Sequence, residues 1–502
     1  MTPNISRRAA LGLLGVGGAA AVLAGCGMGN GGMGSSGATT PRNADIGGAP
    51  GDLLVEPNVL RSAGGLLEVS LAARATMLPW GSAERYALTY DGSAVGPTWR
   101  VRPGDVVRVE LRNDLSRPTN LHTHGLHVSP EGNSDNIYRM ADPGSSLTYE
   151  YRIPADHPSG TFWYHPHHHG SVAEQVSGGL AGVIIVEDAI DDLPELRAAE
   201  EHVLVLSDPR IGATDAVLSA TTADKQAGRE GDAILVNGQL QPTIVGRAGS
   251  VQHWRLVNAS ASRYYRLSLD GSELLLIGTD QGRLGTPKRI DDLTLTPGQR
   301  AEVLVPLDRP GRVVLVTTEV ERGKDMSMGG AMGRMGAGST GASIGPVTSV
   351  LTVDVTGDES AGRAALPASL RKATVTPSDA PAATRNVSFG AMSMGNGEFV
   401  IDGHAFSEER ITASPRLGTV EEWTVTNNSM MDHPFHLHVW PFQVVHGGDA
   451  FAKEGWHDTV NVPTGSSITI RIPFLDFSGR TVFHCHILDH EDLGMMANVE
   501  VR

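Results

Sequence analysis

Four His-x-His pairs carry the chemistry this sequence could do: His122-Thr123-His124, His165-Pro166-His167, His436-Leu437-His438 and His484-Cys485-His486. On an extended strand, residues i and i+2 point from the same face, so each pair presents two imidazoles together. The plainer readings are buried, hydrogen-bonded core histidines or a zinc site. Eight imidazoles exceed a tetrahedral zinc's needs and suit a cluster of several copper or iron ions. Cys485 lies between two of these histidines, so on a strand its thiol points the opposite way, into its own domain. His433 precedes His436 by an odd offset of three and turns toward that same side. His490 and Met495 follow the cysteine by five and ten residues, on a turn-like stretch containing Gly494. Two His, one Cys thiolate and a Met at long range form the ligand set of a blue-copper electron-transfer centre, whereas zinc has no need of Met and usually takes more than one thiolate.

The elements that must hold these residues are written three times. Gly104-Asp105-Val106 is followed at nine-residue steps from its Gly by Asn113 and His122, Gly249-Ser250-Val251 by Asn258 and Leu267, and Gly418-Thr419-Val420 by Asn427 and His436. Gly160, Gly311 and Gly479 stand five residues before His165, Val316 and His484, and Pro143-Gly144, Pro297-Gly298 and Thr464-Gly465 mark turns upstream. Between these marks the chain alternates apolar and polar residues, as in Val107-Arg108-Val109-Glu110-Leu111, the period of half-buried strands. An all-β fold of three units follows, each a Greek-key sandwich or barrel, over residues 52–190, 200–355 and 375–502. Where the outer units carry His pairs, the middle one has Leu267-Ser268-Leu269 and Val316-Thr317-Thr318. Cys485 corresponds to Pro166 and Thr317, and His433 to Thr119 and Tyr264, so only the third unit has the residues for a blue-copper site.

Length and composition agree with this reading. The 502 residues allow roughly three domains of ~150 residues. Formal charge is 40 − 56 = −16, which argues against nucleic acid as a general partner. The 61 Gly and 29 Pro suit many turns between short strands. After the N-terminus no apolar run approaches ~20 residues, so the body is not expected to span a membrane. The N-terminus itself reads as an address: Ser6-Arg7-Arg8 before an apolar run from Ala9 to Ala24 resembles a twin-arginine export signal. Leu23-Ala24-Gly25-Cys26 looks like a lipobox ending residues 1–26, with a flexible tether at 27–51; an ordinary cleaved signal with an incidental cysteine is the alternative. Once Cys26 is removed or acylated, Cys485 has no partner and no intrachain disulfide forms.

The runs His122-Thr123-His124-Gly125-Leu126-His127, Trp163-Tyr164-His165-Pro166-His167, His433-Pro434-Phe435-His436-Leu437-His438 and His484-Cys485-His486 through His490 to Met495 resemble the four copper motifs of the multicopper oxidases. The resemblance covers nearly all of the chain after the tether and implies three cupredoxin-like domains with four copper ions. It implies type 1 copper at Cys485, His433, His490 and Met495, and type 2 copper at His122 and His436. The type 3 pair would sit on His124, His165, His167, His438, His484 and His486. It further implies that a reductant delivers single electrons to type 1 copper, that these pass through Cys485 to His484 and His486, and that four of them reduce O2 to two waters. Glu491 resembles the carboxylate that relays protons in bacterial copper-exporting members, and Asp135 is the other candidate. Met326, Met328, Met332 and Met335 fall in a Gly-rich stretch, 323–346, and thioethers suit Cu(I). Copper-resistance members carry such segments, so the resemblance favours Cu(I) as reducing substrate, in copper detoxification, with phenols or other metal ions as further substrates. A Gly/Met linker without a metal role is the alternative for that stretch. For the whole chain the alternatives are a laccase-like phenol oxidase and a non-catalytic copper-binding or cell-envelope scaffold. The expected protein is an exported monomer of the cell envelope or periplasm, anchored to the membrane through lipid at Cys26.

Overall fold

The strand Val106–Asn113 buries every second side chain, as its alternating sequence predicts, and its two counterparts repeat its pairing. In the computed structural model, which describes residues 51–80, 83–210, 219–323, 347–358, 364–370, 380–391 and 399–502, residues 106–113 pair in parallel with 66–73, and 106–112 pair antiparallel with 146–152. Ser250–Asn258 lies in the same way between 200–206 and 300–307, and Thr419–Asn427 between 383–389 and 467–474. The described residues form six sheets, in three pairs drawn from residues 59–186, 200–356 and 383–501. The all-β expectation holds. Each pair of sheets encloses its own apolar core: around Trp99, Leu111 and Tyr149 in the first, Trp254, Tyr265 and Val303 in the second, and Trp423, Phe435 and Phe483 in the third. Among the described residues no helix is long and apolar enough to cross a membrane. Residues 1–50, with the export signal and Cys26, lie outside the described residues, as do Met326, Met328, Met332 and Met335.

The repeated Gly and Asn are explained by the backbone. Gly104, Gly249 and Gly418 have φ of 91°, 85° and 79°, a region that side chains disfavour, and each opens the strand that follows it. Asn113, Asn258 and Asn427 end those strands, fully buried, and each ties two distant carbonyls to the chain end. The Asn113 amide donates to Arg117 O and Ala141 O, that of Asn258 to Arg263 O and Leu295 O, and that of Asn427 to Met431 O and Val462 O, all at 2.8–3.0 Å. Each side-chain oxygen accepts the N–H two residues on, from Leu115, Ser260 or Ser429. These clamps set the loops that enter the next strands, His122–His124, Tyr265–Asp270 and His433–Leu437.

The strands that carry the first histidine of each pair are buried on both faces, and His167, His438 and His486 follow just beyond the ends of theirs. Gly160–His165 and His433–Leu437 are buried at every residue, because one face meets their own core and the other meets a neighbouring unit. His122 stands opposite His165, and His436 opposite His484. The middle unit departs from the repeat by one residue: Leu267 faces Thr317 rather than Val316, and the strand Gly311–Thr318 carries a register shift between Leu315 and Val316 against its other neighbour. Small apolar clusters join the units, with Trp163 and Val183 against Val203 and Val257, and Ile137 against Val482 and Met496.

Asn258→Ala should lower unfolding free energy by about 3 kcal/mol, because it leaves two buried carbonyls and one buried N–H without partners. Urea titration of the variant checks this, and a loss under about 0.5 kcal/mol would show that the clamp is dispensable.

Candidate metal centre

Cys485 ends the strand Gly479–Cys485 with its thiol in the core of the third unit, wholly buried. Phe435 faces it across the sheet, which brings His433, two residues earlier on the same strand, to the same side. His433 Nδ1 lies 3.3 Å from Cys485 Sγ, His490 Nδ1 lies 3.8 Å from it, and the two Nδ1 atoms are 3.2 Å apart. The other nitrogen of each ring is already engaged: His433 Nε2 bonds Ser429 Oγ, and His490 Nε2 donates to Gln226 O at 3.1 Å. Three soft or borderline donors are therefore aimed at one point. His490 sits on a short helix, Leu488–Asp492, where the sequence suggests only a turn. Gly494, at φ 110°, then returns the chain so that Cys485 N–H donates to Met495 O, and the Met495 side chain is buried in the same core.

The eight imidazoles of the four pairs meet between the first and third units, all within 1% of complete burial. They form close triplets: His122, His124 and His436; His124, His165 and His486; and His167, His438 and His484. A fourth triplet joins His122, Asp135 and His438. Most rings have one nitrogen pinned. His122 Nδ1 donates to Asp135 at 2.9 Å, His165 Nδ1 to Pro166 O at 2.8 Å, His436 Nδ1 to Asp458 O at 2.8 Å and His484 Nδ1 to Cys485 O at 3.0 Å. Among the described residues, the opposite nitrogens of His122, His165 and His436 have no hydrogen-bond partner, nor has either nitrogen of His486. His484 Nε2 instead faces His167 Nε2 at 3.2 Å and His438 Nε2 at 3.1 Å. Two nitrogens that share an ion at roughly 2.0–2.1 Å each are expected at about that separation.

Electrostatics favours the same use. Burial, reinforced by the neighbouring imidazoles, holds His122, His124, His167, His438, His484 and His486 well below the usual imidazole range, and burial holds His165 at about 3 and His436 at about 4. The rings are neutral at pH 7, with lone pairs available. A buried polar atom without a partner costs about 1–3 kcal/mol, so a whole set of them is intelligible as a donor set for metal. His and Cys donors with no more than one thiolate fit copper. Both acids singled out in the sequence lie beside the rings. Asp135 is wholly buried against His122, with its carboxyl pushed by burial up to about 7. Glu491 is also buried, with Oε2 3.2 Å from His484 Nδ1 and Oε1 3.5 Å from His167 Nε2, and burial raises its carboxyl well above the ordinary range.

Three sequence families, each of them multicopper oxidase, match residues 72–190, 200–329 and 376–502. The chain belongs to the multicopper oxidase family. It is thus an oxidoreductase of a copper-dependent family that uses O2 and a reducing substrate. Among its relatives, multicopper oxidase mco of Staphylococcus haemolyticus is 27% identical over 425 residues, covering 82% of this chain and 83% of the relative. Cell division protein FtsP of Yersinia pestis is 30% identical over 377 residues, covering 74% and 75%. A solved Campylobacter jejuni multicopper oxidase, described as a metallo-oxidase, superposes with a TM-score of 0.77 at 28% identity, covering 92% of this chain and 98% of its own.

Several groups at the oxidase centre escape sequence reasoning. Asp458 and Thr459 contact His124 and His436, Arg300 holds Asp458, and Gln226 covers His490. None is a residue type that recurs at the same place across the three units, and each reaches its histidine only through tertiary contact.

Proposed function

We propose that this oxidase binds four copper ions and couples one-electron oxidation of Cu(I), and of phenols or other metal ions to a lesser degree, to reduction of O2 to two waters. Cys485, His433, His490 and Met495 would hold a type 1 ion, His122 and His436 a type 2 ion, and His124, His165, His167, His438, His484 and His486 a type 3 pair. The observation that carries this is the convergence of His433 Nδ1 and His490 Nδ1 on Cys485 Sγ, while both covalent neighbours of that cysteine turn into the cluster of imidazoles. When bound, copper supplies one-electron acceptance at the first centre and the four-electron chemistry of O2 at the second.

The chain's own part is to bind, insulate and move protons. His484-Cys485-His486 spans the two donor sets with bonded atoms, buried throughout, so that water is kept from the path. Asp135 accepts the Nδ1 proton of His122 and the N–H of Thr123, which leaves His122 Nε2 as the donor. Glu491 faces His484 and His167 with neither carboxyl oxygen hydrogen-bonded among the described residues, a position from which it can carry a proton to the cluster. Asp135 is the second proton carrier in this reading.

Support for Cu(I) is the thioether-rich sequence around Met326, Met328, Met332 and Met335 and the description of the C. jejuni relative as a metallo-oxidase. Gly323, where that stretch begins, bridges to Met431, two residues before His433. Copper detoxification is the role this substrate suits. Likeness to FtsP favours a second reading, a cell-envelope scaffold without turnover. Against it stands a full set of donor residues, with none replaced. Residues 1–26 would export the protein to the envelope or periplasm, with lipid on Cys26 and residues 27–51 as a tether.

Copper-loaded protein should consume O2 with Cu(I) as reductant, and no uptake with either Cu(I) or a phenol would favour the scaffold. Asp135→Asn should slow O2 reduction by about 10²-fold or more with the blue absorption unchanged; unaltered turnover would remove it from proton delivery. Deleting 324–346 should lower the Cu(I) rate by at least about tenfold, ~1.4 kcal/mol, against a phenol rate nearly unchanged, and equal losses would sink the cuprous assignment. Cys26→Ser should release the protein from detergent-extracted membranes into the soluble fraction, whereas unchanged partitioning would rule out the anchor.

A further inference from the structure

The middle unit carries none of the His pairs, yet one of its edges touches the cluster. Its turn glycine, Gly298, lies so close that a Cβ there would stand 2.9 Å from His486 Nε2 and 3.0 Å from His124 Cε1. At the equivalent turn glycines of the outer units, Gly144 and Gly465, an added Cβ would meet nothing within 4 Å among the described residues. Two residues after Gly298, Arg300 is wholly buried and binds all three units. Its Nε donates to Thr161 O of the first, and its Nη1 to Gly298 O of its own. Its guanidinium clasps Asp458 of the third through Nη1–Oδ1 at 2.8 Å and Nη2–Oδ2 at 2.6 Å. Asp458 Oδ1 in turn lies 2.9 Å from His124 Nε2. The residue after that histidine must be Gly125, since a Cβ would come within 2.3 Å of Arg300 Nη2 and 2.7 Å of Asp458 Oδ2.

This arrangement has a consequence for His124. An ionised carboxylate only accepts, so a neutral His124 must place its proton on Nε2 and its lone pair on Nδ1. Nδ1 is the nitrogen without a partner among the described residues, and His124 belongs to the triplet with His165 and His486. His122, His165 and His436 are pinned the other way round, through Nδ1. We propose that Arg300 and Asp458 act as a positioning pair, by which the ligand-free middle unit fixes His124 as an Nδ1 donor and so completes the copper cluster. This rests on the cluster binding copper, and the wild-type copper count tests that separately.

Three variants read the pair through copper per chain and the paramagnetic resonance of the cluster, with the blue band of the Cys485 centre as internal control. In Asp458→Asn, Arg300 keeps the amide oxygen, so the amide N–H faces His124 Nε2 and favours the wrong tautomer. Roughly 10- to 100-fold weaker retention of cluster copper is expected, with the blue band intact. In Arg300→Met with Asp458→Asn, Gln281 still donates to one end of the amide, but Thr459 Oγ1 and His124 Nε2 both offer protons at the other, so the oxygen turns to His124 and copper retention should recover. In Arg300→Met with Asp458→Leu, the carboxylate is gone and His124 Nε2 keeps only the Thr459 hydroxyl at 3.2 Å, which it shares with His436 Nδ1 at 3.1 Å, so cluster copper should fall again. Both double variants remove Arg300 from beside the buried Asp280, which keeps His457 Nδ1 at 3.1 Å, and neither leaves a charge at position 458, so their comparison stands even where the single variant fails to fold. Equal copper retention in both double variants, with the wild-type protein fully loaded, would overturn the proposal.

Discussion

Eight neutral imidazoles pressed together between two β-units, with ring nitrogens facing one another at 3.1–3.2 Å, are the constraint on which the rest of this structure depends. Burial excludes bulk water, and every ring but that of His484 has at least one nitrogen without a hydrogen-bond partner among the described residues, so burial alone disfavours the arrangement. A metal that accepts several lone pairs at once reverses that balance. The strands bearing the pairs are accordingly buried on both faces, and their second face is apposed to another unit instead of to solvent. The placement of the site between the first and last units follows from this requirement for two His-bearing faces.

The scaffold around the cluster is a set of pins. Asp135, Pro166 O, Asp458 O and Cys485 O each engage one nitrogen of a ring and leave the other to the interior. The same logic holds at the Cys485 centre, where Ser429 and Gln226 O take the outer nitrogens of His433 and His490. The middle unit contributes to both places without offering a donor of its own: Arg300 and Gly298 at the cluster, and Gln226 over His490. A spacer that had only to hold two units apart would have no need of these contacts.

Much of this was legible in the sequence because it is local or periodic. The i, i+2 rule placed both histidines of each pair on one face, and the odd offset of His433 placed it with Cys485. The nine-residue steps from Gly to Asn to His mark a strand, its buried amide clamp and the next strand, and the structure gives each mark that role. The helix at Leu488–Asp492 escaped because five residues are too few to display a helical period. The one-residue shift in the middle unit escaped because register is set by partners, and a sequence repeat carries no record of a local irregularity at Leu315 and Val316. Asp458 and Arg300 are 158 residues apart, and Asp458 is 334 residues from His124, so no spacing could announce them.

The central claim is that Cys485 links one mononuclear copper to a three-copper cluster between the outer units. Anomalous X-ray scattering from crystals of the copper-loaded protein, collected across the copper edge, tests it most directly. The account predicts one peak within bonding distance of Cys485 Sγ and the Nδ1 atoms of His433 and His490, and three more among the eight imidazoles. A fully loaded crystal with no peak at Cys485, or with a single peak among those rings, would contradict it.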